Sequence, residues 1–416
     1  MTESNKIPKH WQVKKLSDIG EIVSGGTPST KVSGYWDGNI SWISPADLSG
    51  YSNTTITKGR KSITKEGLKN SSARLIPKGS VLFSSRAPIG YVVIAGNEVC
   101  TNQGFKSIVP NKLITTDYLF FYLKASKQKA EKVASGTTFK EISLKAFSIL
   151  EIPLPPLPEQ QAIVSKIEEL FSELDNGIAQ LKTAKQQLKV YRQSLLNTIV
   201  SRKNCKTIQE VIEKLDQGWS PKCFNENSKD EKEWAVIKTS AVQHGHFIEI
   251  ENKILPPDLK PRIQHELEVG DILITRAGPR VRVGVCCMIR KTRQRLINCD
   301  KVYRIKVNTK IISSEYFELL LNTPHYQREI EKMKSGISDS GLNLTQAKFL
   351  KIEIPIPTLK QQQLIVSELE SKLTVCDKIE ETISQSLQQA ETLRQSILKK
   401  AFSGELLKNH GNPKIK

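Results

Sequence analysis

Residues 151–164 read EIPLPPLPEQQAIV, and residues 353–366 read EIPIPTLKQQQLIV, 202 positions later. The echo runs without a gap through 151–201 and 353–403. Glu151, Pro153, Pro155, Gln160, Gln161, Ile163, Val164 and Ser165 return as Glu353, Pro355, Pro357, Gln362, Gln363, Ile365, Val366 and Ser367. At the far end YRQSLL (191–196) returns as LRQSIL (393–398). An internal repeat outranks any local signal, because it dictates that one structural unit is built twice. Here the unit ends in a segment whose length was not free to change.

Upstream the echo is weaker and its spacing drifts from about 190 to 202, as loop insertions between two copies of one domain would produce. LSDIGEI (16–22) matches IQEVIEK (208–214), GGTPS (25–29) matches GWSPK (218–222), and ASG (134–136) matches KSG (334–336). GSVLFSSRA (79–87) matches GDILITRA (270–277), which equates Arg86 with Arg276. The chain therefore divides into a variable domain and a constant helix, twice: 1–150, 151–203, 204–352 and 353–404, with a flexible tail at 405–416.

In the constant segments Ile163, Ile167, Leu170, Leu174, Ile178, Leu181, Ala184, Leu188, Tyr191 and Leu195 advance by threes and fours. Ile365, Leu369, Leu373, Cys376, Ile379, Ile383, Leu387, Ala390, Leu393 and Ile397 do the same, which is coiled-coil spacing. Pro158 and Glu159 suit a first helical turn. Each helix should run roughly 40 residues, about 60 Å. Neither can bury its own stripe, so each is the other's expected partner, antiparallel and with one domain at each end. The residues expected at this helix-pair or subunit interface are Ile163, Ile167, Leu174, Leu181, Leu188, Leu195, Ile365, Leu369, Ile383, Leu393 and Ile397.

In the variable domains SVLFSS, GYVVIA and FKSIVP, then DILIT, VGVCCMI and VYRIKV, predict strands. Helices should follow from Thr116-Asp117 and Ser314-Glu315. The expected fold class is α+β: two tandem mixed α/β domains separated by two long helices in an antiparallel coiled coil, with a pseudo-twofold internal repeat.

Formal net charge is +19, unevenly placed: +11 in 1–150 and +7 in 202–350, against −1 in 151–201 and +2 in 351–416. Basic domains on near-neutral helices predict a polyanion met by the domains, nucleic acid before an anionic membrane. No apolar run reaches the length of a membrane span, and the polar opening lacks a signal-peptide core. Seven scattered cysteines without a CxxC indicate neither a disulfide framework nor a zinc site, so a cytoplasmic protein with reduced thiols is expected.

The densest basic run, RAGPRVRVGVCCMIRKTRQR (276–295), offers Arg276, Arg280, Arg282, Arg290, Lys291, Arg293 and Arg295 for DNA binding. On a strand, Arg280 and Arg282 would share one face, and the later residues would follow in a turn. Guanidinium groups can pair bidentately with guanine, and any cation can hold phosphate; a solvated hairpin is the alternative. The first copy offers Lys58, Arg60, Lys61 and Arg86, the last equally able to pair with a carboxylate. Thr137, Thr138 and Lys140 lie in a hydroxyl-rich loop that could rest against phosphates. No catalytic motif competes. There is no GxxxxGK[ST] and no GxGxxG after a strand, PPD at 256–258 lacks a following Glu-x-Lys, and His244-Gly-His246 lacks further metal ligands. The chain reads as a binding subunit, with no catalytic residue and no metal site.

Variable domains each followed by a helix that opens P-L-P-x-Q-Q-x-I-V in the first copy and T-L-K-x-Q-Q-x-I-V in the second, and ends in R-Q-S-[LI]-L, resemble the specificity subunit of Type I restriction–modification enzymes. LFSSRAPIG and TNQGF (101–105) of the first domain are similar to that family's target-recognition domains; the second domain has LITRAGPR instead and no NQG. The resemblance implies that each domain reads one half of a split, asymmetric double-stranded DNA site, with the helix pair setting the spacer. It also implies two methyltransferase subunits, which bring S-adenosylmethionine and methylate adenine N6. Restriction/translocase subunits would use ATP and Mg, and this chain would bind none of these cofactors. The readings from other classes are a DNA-modifying or DNA-cleaving enzyme with an unrecognised site, and a coiled-coil adaptor.

Overall fold

The computed structural model describes residues 7–136, 140–200, 204–336 and 338–408. The chain forms two compact units, Met1–Leu181 with Gln385–Lys416, and Lys182–Ser384.

In the first unit a five-stranded sheet runs in the order Gly20–Ser24, Phe105–Pro110, Val81–Ser84, Val92–Ala95, Thr55–Ile56. Its pairs are antiparallel except the last, which is parallel. The strand Val81–Ser84 is buried along its whole length, because the sheet is covered on both faces. Val81 and Phe83 face the core that holds Tyr118, Leu119 and Leu123 of the helix Thr116–Ala125. Leu82 alternates to the other side and packs with Ile43, Leu48 and Val93.

The second unit repeats this plan. Ile212–Gln217, Val302–Val307, Ile272–Thr275 and Cys286–Met288 pair antiparallel in the order of the first four strands above. Ile272 and Ile274 face the helix Ser314–Leu321, and Leu273 faces a separate cluster with Val236 and Leu296. The helices start alike, with the hydroxyl of Thr115 accepting from the N–H of Tyr118 and that of Ser313 from Tyr316.

Each domain is closed by the proline-studded strand seen in the sequence. Gln12–Lys15 pairs antiparallel with Glu151–Leu154, and Cys205–Thr207 with Glu353–Pro355. The long helices Leu157–Asn197 and Leu359–Phe402 follow. A fully buried glutamine fastens each to its domain. Gln160 accepts the N–H of Thr115 at 2.9 Å and donates to the carbonyls of Leu113 and Pro155 at 3.0 and 2.9 Å. Gln362 does the same with the N–H of Ser313 (2.9 Å) and the carbonyls of Ile311 (2.9 Å) and Pro357 (2.8 Å).

Within each unit, half of one helix packs antiparallel against half of the other. In the first, Ile163 and Ile167 share a core with Ile397, Leu398 and Ala401, and further along Asp175 pairs with Arg394. In the second, Leu195 and Ile199 share a core with Ile365 and Leu369, and Arg192 pairs with Asp377. Arg192 and Arg394 are repeat equivalents, as are Asp175 and Asp377, so one ion pair is made twice.

Along the second helix Gln362, Leu369, Cys376, Ile383, Ala390 and Ile397 are buried at a strict seven-residue step. On the first helix Leu174, Leu181 and Leu188 are half-buried. Leu393 departs from expectation and is 52 % exposed; Ile379 is exposed as well. Steps of three and four leave the register uncertain by one residue, and one residue turns the side chain about 100° around the helix. Arg394 takes the seam instead, with its guanidinium 4.6 Å from the Phe171 ring.

The second helix stops at Gly404, whose φ is +73° and where a Cβ would fall 2.3 Å from Pro8 Cγ. Leu406, in the stretch expected to be a flexible tail, is buried in the first unit's core, and 409–416 lie outside the described residues. Among the described residues no helix is long and apolar enough to cross a membrane.

Candidate nucleic-acid interface

The arginines of the second domain's basic run are bonded to protein oxygens, although only Arg293 is buried and Arg280, Arg290 and Arg295 are exposed. Residues 280–284 form a turn rather than a strand, so Arg280 and Arg282 take different partners. Arg280 donates to Asp339 at 2.9 Å and pairs with Glu331. Arg282 donates to the carbonyls of Thr239 and Val242 at 2.6 and 2.9 Å and to the Gln243 side chain at 3.1 Å. Arg290 forms a two-point bond with the buried Glu318 carboxylate at 3.2 and 2.6 Å. Arg293 is buried and donates to the carbonyls of Asp230 and Glu233 at 3.0 and 2.8 Å. Desolvation holds its guanidinium below the usual arginine range. Arg295 donates to the Lys232 carbonyl. These bonds tie the five arginines to neighbouring loops, and Arg280, Arg290 and Arg295 remain exposed. Lys291 is exposed.

Arg276 differs. It stands at the end of the central strand, where its Nε donates to the Asp300 carbonyl at 2.7 Å and its guanidinium lies over the Tyr303 ring, 5.8 Å from the centroid. These two contacts fix the direction of a half-exposed cation.

In the first domain Arg86 pairs with Glu141 at 3.1 Å, each side chain 37 % exposed. The Lys106 ammonium stands 3.8 Å from the other oxygen of that carboxylate. Burial lowers the Lys106 pKa, and Glu141 opposes part of that shift. Arg86 and Arg276 are not equivalents. Phe83 pairs with Lys106 and Ile274 with Tyr303, so in sheet register Ser85 stands where Arg276 stands, and Arg86 where Ala277 stands. Matching the letters RA hid this one-residue shift.

Arg60 is exposed but anchored to the first domain, its backbone N–H donating to Asp47 and its guanidinium to the Ala46 carbonyl, both at 3.0 Å. Lys61 lies over the Trp36 ring, 5.2 Å from the centroid, and that ring packs edge-on against Trp42. Lys58 and Lys140 are exposed, whereas Thr137 and Thr138 lie outside the described residues. The expected cations thus comprise exposed lysines (Lys58, Lys61, Lys140, Lys291), arginines bonded to neighbouring loops (Arg60, Arg280, Arg282, Arg290, Arg293, Arg295), and Arg86 and Arg276 beside the central strands.

Other reactive groups are packed away. Burial pushes the thiols of Cys100 and Cys287 up to about 12 and that of Cys299 to about 11, so they stay protonated at neutral pH and pack as small apolar groups. Among the described residues no three His, Cys, Asp or Glu side chains are placed to hold a metal. Sequence reasoning passed over Lys106, Glu141 and Asn343. Glu141 and Asn343 stand 202 apart, the spacing of the helices, and that was the available signal.

A family model described as the Type I restriction modification DNA specificity domain matches this chain twice, over residues 8–187 and 203–389. The Type I restriction enzyme MjaIX specificity subunit of Methanocaldococcus jannaschii is 42% identical over 175 residues, a match that spans 42% of this chain and only 40% of that relative. The Type I restriction enzyme EcoKI specificity subunit of Escherichia coli strain K12 is 26% identical over 97% of this chain and 90% of its own length. A solved structure described as the basis of complex assembly and conformational transition of the type I R-M system superposes with a TM-score of 0.74. It covers 96% of this chain and 100% of its own at 19% identity, a likeness of fold.

Proposed function

Because this chain belongs to the family of Type I restriction modification DNA specificity domains, we propose that it is the non-catalytic, sequence-reading subunit of a DNA methylation and restriction assembly. The observation that carries this reading is the doubled plan: two basic domains with one strand order, each fastened by a buried glutamine to a helix of the same heptad register. Each domain reads one half of a split, asymmetric duplex site, and the helices hold the unread spacer between the halves.

Exposed Lys58, Lys61, Lys140 and Lys291 meet phosphates, which position the duplex without reading it. Arg86 and Arg276, whose directions are fixed, reach base edges, where a guanidinium matches the two acceptors of guanine. Two methyltransferase subunits bind this chain and bring S-adenosylmethionine. Restriction/translocase subunits bring the ATP- and Mg-dependent steps. A base to be methylated leaves the stack, so firm grip by one subunit and base capture by another divide the work sensibly.

The test is to co-express the chain with its methyltransferase partner and map N6-methyladenine across the host genome. The expected result is one split motif, methylated once in each half across a fixed gap. An undivided motif, or a soluble complex that methylates nothing, would overturn the reading.

A further inference from the structure

Beside the end of each central sheet, three short extended segments form a small ribbon. In the first domain Glu141 stands in the middle, bridged to Arg86 on one side and Ser135 on the other. In the second Asn343 stands in the middle, paired with Ala277 on one side and Ser335 on the other. The frames coincide beyond these contacts. The next residue, Ile142 or Leu344, is fully buried, and its N–H donates to the carbonyl of Ser85 at 3.0 Å or of Arg276 at 2.8 Å. Side chains alternate along an extended segment, so Ile142 and Leu344 point into the core and Glu141 and Asn343 point out. Ser135 and Ser335 flank them and are exposed.

We propose that this middle position is a base-reading position in each domain, with Glu141 serving the first half-site and Asn343 the second. The proposal rests on the DNA-reading function above and goes further by naming the residues that set specificity. Two domains that read different sequences from one scaffold need a constant frame with a variable side chain at its centre. The ribbons have that form, with serine on one flank of both and different hydrogen-bonding chemistry in the middle.

A carboxylate offered to DNA would ordinarily be repelled by the phosphates. Glu141 escapes this because Arg86 and Lys106 stand 3.1 and 3.8 Å from its two oxygens and leave the cluster net positive. Each carboxylate oxygen retains capacity to accept, which suits the amino group of cytosine N4 or adenine N6. Asn343 is exposed and offers an amide donor and acceptor side by side, the pattern that adenine N6 and N7 complement. The first domain therefore reads an amino-bearing base at this position and the second reads adenine.

The experiment uses the full chain with its methyltransferase partner and maps methylation for wild type, Glu141→Gln, Asn343→Asp and Asn343→Ala. Glu141→Gln should lose about tenfold or more of its discrimination at one position of one half-site, and the Asn343 variants at one position of the other. The untouched half-site and the gap serve as internal controls. Variants that methylate the unchanged split motif would overturn the proposal while leaving the function standing; a wild type without a split motif would overturn the function itself. If a variant methylates nothing, hydrogen exchange of its ribbon decides. Exchange like wild type supports lost base contact, and faster exchange assigns the residue a structural role and overturns the proposal.

Discussion

Replacing Gln362 tests whether the buried glutamine is what fastens a helix to its domain. Its side chain satisfies the Ser313 N–H and the carbonyls of Ile311 and Pro357, at 2.9, 2.9 and 2.8 Å. Gln362→Ala strands all three groups inside the protein. A buried polar group without a partner costs about 1–3 kcal/mol, and the N–H, with a single donor, bears that in full. The carbonyls lose less, so about 3–5 kcal/mol is expected from the second unit, a large share of the roughly 5–15 kcal/mol that holds a domain together.

Gln362→Glu is the sharper variant. It keeps the shape and the acceptor for Ser313 but sets a carboxylate oxygen against two carbonyl oxygens. Burial and those carbonyls raise the pKa of the introduced carboxyl in the folded state. Its penalty is therefore present above that raised pKa and is relieved as pH falls through it, when the protonated group can donate one bond. Hydrogen exchange of peptides spanning 311–316 reads the local opening, and denaturant unfolding reads the total. Gln160→Ala should cost the first unit the same within about 1 kcal/mol, and the two should add, since the two glutamines share no partner. A Gln362→Glu protein as stable at neutral pH as wild type would refute the reasoning.

Four further outcomes follow. Double-mutant cycles on Arg192–Asp377 and Arg394–Asp175 should return equal couplings of about 0.5 kcal/mol each, the size of exposed pairs; unequal values would deny their equivalence. Asp271→Ala should cost about 1–3 kcal/mol in denaturant unfolding, because the buried Arg304 loses its 2.6 Å partner and keeps only Glu268 at 3.3 Å and the Gln264 carbonyl at 3.2 Å. A hydrogen bond from Lys334 lowers the Glu331 pKa, and one from Lys306 lowers that of Glu268, so the stability each adds is present above pH 4.5 and lost as pH falls through the depressed values. In unfolding measured against pH, Glu331→Gln should flatten that acid slope. Finally, inserting four residues into one long helix adds about 5.4 Å per turn, over one base pair, and should lengthen the spacer in the methylation motif; an unchanged spacer would deny the helices their ruler role.

The architecture was readable because its signals are local or periodic. Apolar runs such as DILIT and FKSIVP became strands, hydroxyl residues capped the following helices, and an invariant 202 spacing marked the duplicated helices. The partners of the candidate site residues were not legible, for a physical reason. Sequence displays the charge of Arg282 or Arg293 but not the carbonyls of Thr239, Val242, Asp230 and Glu233 that consume it, which lie 40 or more residues away. It also makes Glu141 look wrong for DNA, because Arg86 and Lys106 reach it only after folding.

The 202 spacing nevertheless carried more than the helices. It already holds at Glu141 and Asn343, at the buried Ile142 and Leu344, and at the core aromatics Phe147 and Phe349. In each unit the chain therefore runs from the ribbon through the closing strand and the glutamine clamp into the helix with no change in length. The drift between copies falls before that middle position, since the ribbon's flanks stand at other spacings, Ser135 and Ser335 at 200 and Arg86 and Ala277 at 191. A device that reads bases at a set distance from a spacer needs a fixed path from reading face to ruler, and tolerates variation elsewhere. The length constraint falls on that path in both copies, which is a stronger argument for a measuring role than the helices make alone.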